Sequence, residues 1–403
     1  MLFAILAAGW LGFFLVQPFN ATVSDFPQFY AAARLIVSGH GADCYQMEKF
    51  TSLQHECFPA MADRSIFIYL PPPSLVWFLG LGFLPSQAAT VVWKIVQFVC
   101  LAASVLLLRN AFSLNNKSFL WLVAVLCLSG PAFAAIKIEQ VSMLLLCALS
   151  TAIWALRKNK PWIAAVALSF LMIKPQEGLP FLIFLLGARR YKVVAFTACI
   201  LAGTTIFVSL VIGQQGISNY FHFGFSAIEQ SAYMQSELGP TVRGQLLRLL
   251  PESKTAIALV SGLISLCSLL FIFVSGRRFA SHRAWLEAGL LIAIPLGLVT
   301  CFHLHSYDLV LLAPTVVTIL AGPLENAIPP IPLLISFILF GTFMVPFYIY
   351  IHWDYLLKEH WLLNPHFFVL LALAAATAYL AYRYPDEIVA DSERTNAASA
   401  STS

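Results

Sequence analysis

Long apolar segments alternate with short polar turns along almost the whole chain. A helix that crosses a hydrocarbon core of about 30 Å needs about 20 apolar residues, and this criterion predicts an all-α polytopic membrane protein with about twelve transmembrane helices. We expect one integral membrane domain over residues 1–384. The predicted segments are residues 2–19, 88–108, 119–136, 141–156, 162–173, 179–186, 193–212, 255–274, 284–300, 309–321, 331–351 and 367–382.

Two longer polar regions, residues 20–84 and 213–254, separate some of these segments. In the first, aromatic and aliphatic residues recur at helical spacing from Phe26 onward, with Gln28 and Arg34 on the opposite face. This pattern predicts a helix lying on the membrane surface, and we expect a second surface helix in the central region. Residues 385–403, rich in Ser, Ala and Thr, predict a disordered cytoplasmic tail.

Composition supports a membrane protein, because 60% of the residues are hydrophobic and only 10% are charged. Lysine and arginine concentrate in alternate short turns, which the positive-inside rule assigns to the cytoplasm. Both long polar regions and the polar turns near residues 140, 174 and 305 then lie outside. We therefore expect a multi-pass protein of the inner (plasma) membrane whose active site is extracytoplasmic. A channel or symporter would more often carry its polar residues near the middle of the membrane.

Lys174 lies at the apex of two short apolar segments that enter the membrane and return. The first limb is too short to cross the hydrocarbon core, so this lysine should lie below the outer surface. A lysine at that depth needs a partner anion or a water-filled cavity. The alternative is that its long side chain snorkels to the outer headgroups.

Asp25 is a lone carboxylate at the predicted start of the first surface helix. It is either a functional acid or a helix N-cap favoured by the helix dipole. Cys44 and Cys57 lie in the same extracytoplasmic region, where a disulfide is an open possibility. His303 and His305 would fall on different faces of a helix, which argues against a metal site. The sequence has no glycine-rich phosphate loop or Asp-x-Asp pair, so we expect no cofactor and no nucleic acid partner.

Eight motifs follow one another along the chain: Asp25-Phe26-x-x-Phe29-Tyr30, Ser38-Gly39, Tyr45, Phe67-x-Tyr69-x-Pro71-Pro72, Glu139-Gln140, Ile173-Lys174-Pro175, Arg243-Gly244-x-x-x-Arg248 and His305-Ser306-Tyr307-Asp308-Leu309. This ordered set resembles glycosyltransferase family 87, membrane mannosyltransferases of the GT-C superfamily that use polyprenyl-phosphate-linked sugars. Glu139 stands where the family tends to carry glycine, and Leu70 interrupts the usual Tyr-Pro-Pro run.

This resemblance implies a GT-C-type bundle and inverting transfer of a sugar, mannose by resemblance, with Asp25 as general base. It also implies a polyprenyl-phosphate sugar donor, a glycan or lipid acceptor, and contact with membrane lipids. Candidates to bind the leaving phosphate are Lys174, Arg243, Arg248 and one of His303 and His305. The two arginines have the alternative of anchoring an amphipathic helix at lipid headgroups. A transporter or flippase for a lipid-linked sugar is the alternative, although only one pair of broken helices is visible. The other expected substrate-binding residues are Tyr30, Glu139, Gln140, Lys174, His303, His305 and Asp308.

Overall fold

The computed structural model describes residues 21, 24–61, 65–230, 239–321 and 364–385. All regular elements in these ranges are helical. The predicted segments 2–19 and 331–351, and the predicted tail beyond residue 385, lie outside the described residues. The main helices are α1 (Phe26–Val37), α2 (Met47–Cys57), α3 (Ser86–Phe112), α4 (Asn116–Leu128), α5 (Gly130–Lys137), α6 (Ser142–Arg157), α7 (Pro161–Leu171), α8 (Pro175–Gly187), α9 (Tyr191–Gln230), α10 (Val242–Leu249), α11 (Lys254–Phe279), α12 (Trp285–Thr300), α13 (Ala313–Ala321) and α14 (Pro365–Arg383).

Four helices in the described ranges are long and apolar enough to cross a membrane: α3, the Tyr191–Phe223 part of α9, α11 and α14. Helix α11 shows why such helices suit a lipid environment, because Leu259, Leu263 and Leu270 form an exposed apolar stripe at helical spacing. The all-helical membrane class is therefore confirmed. The count of about twelve spans stays a prediction.

The segment predicted over residues 119–136 is not one helix. Helix α4 ends at Leu128 and α5 begins at Gly130. Ser129 caps α5, its Oγ accepting a hydrogen bond from the Ala132 N–H at 3.2 Å. Pro131 has no N–H and is tolerated only in the first turn of a helix, so it favours a new start here.

The central region predicted as a loop from residue 213 begins as helix instead. Helix α9 continues to Gln230 across a kink at Gly213, where φ is 68° and ψ is 176°. Glycine adopts this conformation without a Cβ clash. The second part of α9 therefore leaves the apolar span at an angle and packs against the first polar region, where the Asn219 amide donates to the Ala42 carbonyl at 2.9 Å.

Helix α1 is packed against protein on most sides and does not lie on the surface as predicted, although Arg34 of its expected polar face is exposed. Even Gln28, expected on its polar face, is only 6% exposed. The Phe29 ring stacks on Phe78 with centroids 5.0 Å apart, and Phe26 stacks on Trp93 of α3 at 5.9 Å. Aromatic contacts on several sides therefore replace the expected lipid contact of this helix.

The possibility of a disulfide between Cys44 and Cys57, left open by the sequence, is resolved by the structure, in which both are free thiols. Cys44 is buried, and its thiol donates to the Ala32 carbonyl of α1 at 3.5 Å. Cys57 ends α2 and is half-buried. Cys44 packs as a small apolar side chain beneath α1.

The short helices α7 and α8 correspond to the two predicted short apolar limbs, and Lys174 lies between them. Helix α8 crosses α11 at backbone contact, because Gly187 faces the Phe273 carbonyl and Gly276 faces the Phe184 carbonyl. A Cβ at either glycine would collide with the opposing helix. This crossing fixes α8, and with it the turn that carries Lys174.

Candidate functional site

Asp25 immediately precedes α1 and does not cap it with its side chain. Ser24 performs that function, because its Oγ accepts a hydrogen bond from the Phe26 N–H at 3.0 Å. The Asp25 carboxylate instead accepts a hydrogen bond at Oδ2 from the Gln140 Nε2, at 2.6 Å. The N-cap interpretation of Asp25 is therefore wrong, and its carboxylate faces the turn between α5 and α6.

That turn also holds the backbone of Asp25. The Asp25 N–H donates to the Ile138 carbonyl at 2.7 Å, and the Trp93 indole donates to the Glu139 carbonyl at 2.8 Å. Trp93 belongs to α3, so three separate parts of the chain meet here. The position of the acid is thus set by tertiary contacts rather than by the start of its own helix.

Glu139 is buried in this turn, with only 3% of the residue exposed, and its φ is +59°. Its Oε2 accepts a hydrogen bond from the Ser24 hydroxyl at 2.6 Å, and its Oε1 lies 3.7 Å from the Lys94 ammonium. Burial raises the pKa of Glu139 to about 7, although the Ser24 hydrogen bond and the Lys94 charge both act to lower it. Glu139 contacts the segment that carries Asp25.

A cavity of about 160 Å³ lies beside Gln140. It gathers side chains from parts of the chain that are far apart in sequence, and Gln140 connects it to Asp25. The cavity lining combines amide, imidazole and ammonium groups with aromatic rings and with the aliphatic side chains of Leu70, Pro71, Ile173 and Pro175. The lining includes Gln28, Tyr69, Gln140, Lys174, Phe302, His303, His305 and Tyr307.

Lys174 has partner anions inside the protein, so the snorkelling alternative is wrong. Its Nζ lies 2.6 Å from the Asp308 Oδ1 and 3.5 Å from the Glu177 Oε1. The same Asp308 oxygen accepts a hydrogen bond from the Ser142 hydroxyl at 2.6 Å. All four residues are buried. The lysine charge is therefore compensated internally, which leaves less of it for an incoming phosphate.

His303 and His305 meet at the cavity, and the prediction that they point apart is wrong. Their Nε2 atoms are 2.8 Å apart, and the segment that carries them is not helical. Burial is the main cause that lowers the pKa of His303 to about 4 and that of His305 well below its usual value. Both rings are therefore neutral at pH 7 and can donate or accept hydrogen bonds. Within the described residues, no group of three His, Cys, Asp or Glu is arranged to hold a metal ion.

The two arginines of α10 have different surroundings. Arg243 places its guanidinium 4.0 Å from the centre of the Phe302 ring at the cavity edge, and burial lowers its pKa. Arg248 instead lies near His366 in the first turn of α14. Helix α10 is held in place because the Gln245 side chain accepts a hydrogen bond from the Asn364 N–H at 2.8 Å. Only Arg243 is therefore close to the cavity.

Tyr30, the remaining predicted substrate ligand, is buried away from the cavity lining. Its hydroxyl donates to the Leu84 carbonyl at 2.9 Å, and its ring packs edge-on against Phe58 at 5.6 Å. The structure thus gives Tyr30 a packing role. Conversely, Gln28 and Glu177 join the site although sequence analysis did not select them. For Glu177, the i, i+3 spacing from Lys174 was the signal in the sequence that could have identified it.

Comparison with known proteins supports a single family. The model of glycosyltransferase family 87 matches residues 67–300, which is more than half of the chain. The matched region contains Gln140, Lys174 and Arg243, whereas Asp25 precedes it. No curated protein and no solved structure matches the chain.

Proposed function

Because this chain belongs to glycosyltransferase family 87, we propose that it transfers a sugar from a polyprenyl-phosphate donor to a lipid or glycan acceptor. The family makes the chain a membrane glycosyltransferase. We propose in addition that the donor is a polyprenyl-phosphate sugar, that the sugar is a hexose (mannose by resemblance), and that transfer takes place on the extracytoplasmic face. The observation that carries it is the buried hydrogen bond between Gln140 and Asp25, because Gln140 also lines the cavity. A carboxylate is thereby held beside a cavity that suits a sugar.

The cavity chemistry favours an uncharged, hydroxyl-rich ligand. The Gln28 amide offers a donor and an acceptor, and the two neutral histidines add ring nitrogens. The volume of about 160 Å³ lies below the range of about 300–1,000 Å³ for drug-sized ligands. A single sugar ring, with its phosphate and prenyl chain outside the cavity, matches both the size and the polarity.

The proposed reaction is one displacement with inversion at the anomeric carbon. Asp25 accepts the proton of the acceptor hydroxyl, and the resulting oxygen nucleophile forms a bond to the anomeric carbon. The bond between that carbon and the phosphate oxygen breaks, and polyprenyl phosphate leaves with the electron pair. Arg243 at the cavity edge stabilises the charge on the leaving phosphate.

Location outside the cytoplasm is supported by the distribution of charge. Basic residues concentrate in the turns at the ends of α3, α6, α8 and α11, whereas the cavity lies beside the α5–α6 and α7–α8 turns. Under the positive-inside rule these two sets of turns face opposite sides of a plasma membrane.

Purified protein in lipid nanodiscs, incubated with radiolabelled polyprenyl-phosphate mannose, glucose or arabinose and a membrane lipid extract, tests the proposal. We expect one of these donors to lose its labelled sugar to an extractable acceptor. The protein with Asp25→Asn serves as the matched control. Transport of intact labelled donor across a vesicle membrane without sugar transfer would instead support a flippase.

A further inference from the structure

Glu139 occupies an unusual position for a charged residue. Four non-glycine residues in the described ranges have a positive φ: Ser113, Glu139, Asn159 and Arg189. The other three are exposed in turns that follow helices, whereas Glu139 is buried. Left-handed backbone is unfavourable for a residue with a Cβ, and burial is unfavourable for a carboxylate. A glycine would avoid both costs, so the Glu139 side chain must contribute something that offsets them.

The contacts of Glu139 indicate what it contributes. One carboxylate oxygen accepts the Ser24 hydroxyl hydrogen bond, and the same Ser24 oxygen accepts the Phe26 N–H. Asp25 lies between these two residues in sequence. The Asp25 N–H donates to the carbonyl of Ile138, and the Asp25 carboxylate accepts a hydrogen bond from the side chain of Gln140. Residues 138, 139 and 140 thus each hold one part of the segment 24–26.

Lys94 completes this arrangement from the side of α3. Its ammonium lies 3.7 Å from the second Glu139 carboxylate oxygen, and its side chain is 20% exposed. The pair orients the carboxylate so that its other oxygen points toward Ser24. Because Glu139 is absent from the cavity lining, its contacts favour a role that is indirect.

We propose that Glu139 is a positioning residue that holds Asp25, through Ser24, at the distance from the cavity that proton transfer requires. This inference rests on the proposed function, since it assigns Asp25 the role of base. A base displaced by about 1 Å can lose about 100-fold in rate even when the altered residue is remote from the reacting atoms. The acceptor and donor sites would be unchanged by such a displacement.

A double-mutant cycle on the full-length protein in nanodiscs tests the proposal. Glu139→Gly keeps the backbone conformation and removes the contact, and Ser24→Ala removes the same contact from the other side. We expect each variant to lower kcat by about 100-fold with KM within about twofold, and the double variant to lose little more than either. Glu139→Gln still accepts the Ser24 hydrogen bond and should recover most of kcat. Additive losses would show that Glu139 and Ser24 act independently, and a rise in KM alone would show that Glu139 contributes to substrate binding; either result would overturn the proposal.

Two controls keep the test decisive. Asn159→Gly makes the same backbone change at an exposed turn between α6 and α7 and should leave kcat unaltered. Hydrogen exchange of the peptide 24–30 gives a readout that needs no activity, and Glu139→Gly should speed its exchange while Asn159→Gly should not. If the wild-type protein transfers no sugar, the proposed function fails. Independently of activity, equal hydrogen-exchange rates of the peptide 24–30 in wild type and in Glu139→Gly would overturn the positioning role.

Discussion

Gln140 and Asp25, which are 115 residues apart in the chain, are joined by a buried hydrogen bond of 2.6 Å. The Gln140 amide is held in a defined orientation, because its Oε1 accepts the Val141 N–H at 3.2 Å while its Nε2 donates to Asp25. One side chain therefore both orients the carboxylate and forms part of the cavity wall. A ligand that contacts Gln140 lies close to the proposed base.

Replacing Asp25 with Asn should lower kcat by about 10²–10⁴-fold, the usual contribution of a general base. The amide has nearly the same shape but cannot take a proton. Because the Asp25 side chain does not cap α1, we expect the melting temperature to change little. Single-turnover kinetics in detergent or nanodiscs provide the measurement. Near-normal turnover by this variant would remove Asp25 from the mechanism.

Lys174→Met should lower both stability and activity. The substitution leaves the Asp308 and Glu177 carboxylates buried without their shared cation. Removing one partner of a buried ion pair costs about 3–5 kcal/mol. This cost is measured by comparing the thermal unfolding of Lys174→Met with that of the double variant Lys174→Met/Asp308→Asn. We expect the second change to restore part of the lost stability, and a Met variant as stable as wild type would contradict the ion-pair assignment.

Arg243 and Arg248 form a matched pair on one helix, and we expect only the first to affect donor use. Arg243→Gln should reduce donor kcat/KM by about 10–100-fold, as expected for a charged hydrogen bond of about 1.5–3 kcal/mol. Arg248→Gln should change it by less than about twofold. Initial rates at varied donor concentration distinguish the two. Equal, small effects at both positions would indicate that these arginines are headgroup anchors.

The cavity histidines should make stability depend on pH. The pKa of His303 is about 4 in the folded protein and about 6.5 in the unfolded chain, so the unfolded state binds more protons between these values. The stability contributed by neutral His303 is therefore fully present above about pH 6.5 and is lost as the pH falls toward 4. The pKa of His305 is also lowered, so its contribution is lost in the same direction. Glu139, with its pKa raised to about 7, opposes part of this trend. Melting temperatures at pH 7.5 and 5 should differ less in His303→Asn/His305→Asn than in wild type.

The exposed His40 supplies the control for that experiment. His40→Asn should keep the wild-type difference in melting temperature between the two pH values. If the double histidine variant also kept the full difference, the buried imidazoles would not be its cause.

Labelling of single cysteines should establish the orientation of the site. After replacement of the eight native cysteines, an impermeant thiol reagent added to intact cells should reach cysteines at Glu48 and Glu252. Cysteines at Lys158 and Arg277 should react only after permeabilisation. All four positions are exposed, so access depends on the side of the membrane. The reverse pattern would place the cavity on the cytoplasmic side and contradict a lipid-linked donor outside.

Short-range patterns in the sequence predicted helices and turns correctly where a single rule, such as the length of an apolar segment, was sufficient. Two short apolar limbs predicted the buried Lys174 turn, and the need for a partner anion was correct. The break between α4 and α5 was missed although Ser129 and Pro131 are standard helix-start residues. Hydropathy averaged over a long window conceals such a break, because every residue around it is apolar.

Contacts between distant residues could not be predicted in this way. Glu139 contacts Ser24, and Lys174 contacts Asp308, only because several helices meet at the same place. The histidine pair depended on local backbone shape, since an i, i+2 pair diverges on a helix and converges in the bent segment observed here. Motif order selected Gln140, Lys174 and the two histidines, which line the cavity, but also Tyr30, which does not.

The short helices α7 and α8 also affect the surrounding bilayer. At 1.5 Å per residue, their 11 and 13 residues reach only about 16 and 20 Å, against a hydrocarbon thickness of about 30 Å. A span this short would be matched by local thinning of the adjoining bilayer. Such a depression would bring headgroups down to the level of Lys174, so a phosphate at the membrane surface could reach the cavity while its isoprenoid chain stays among the acyl chains.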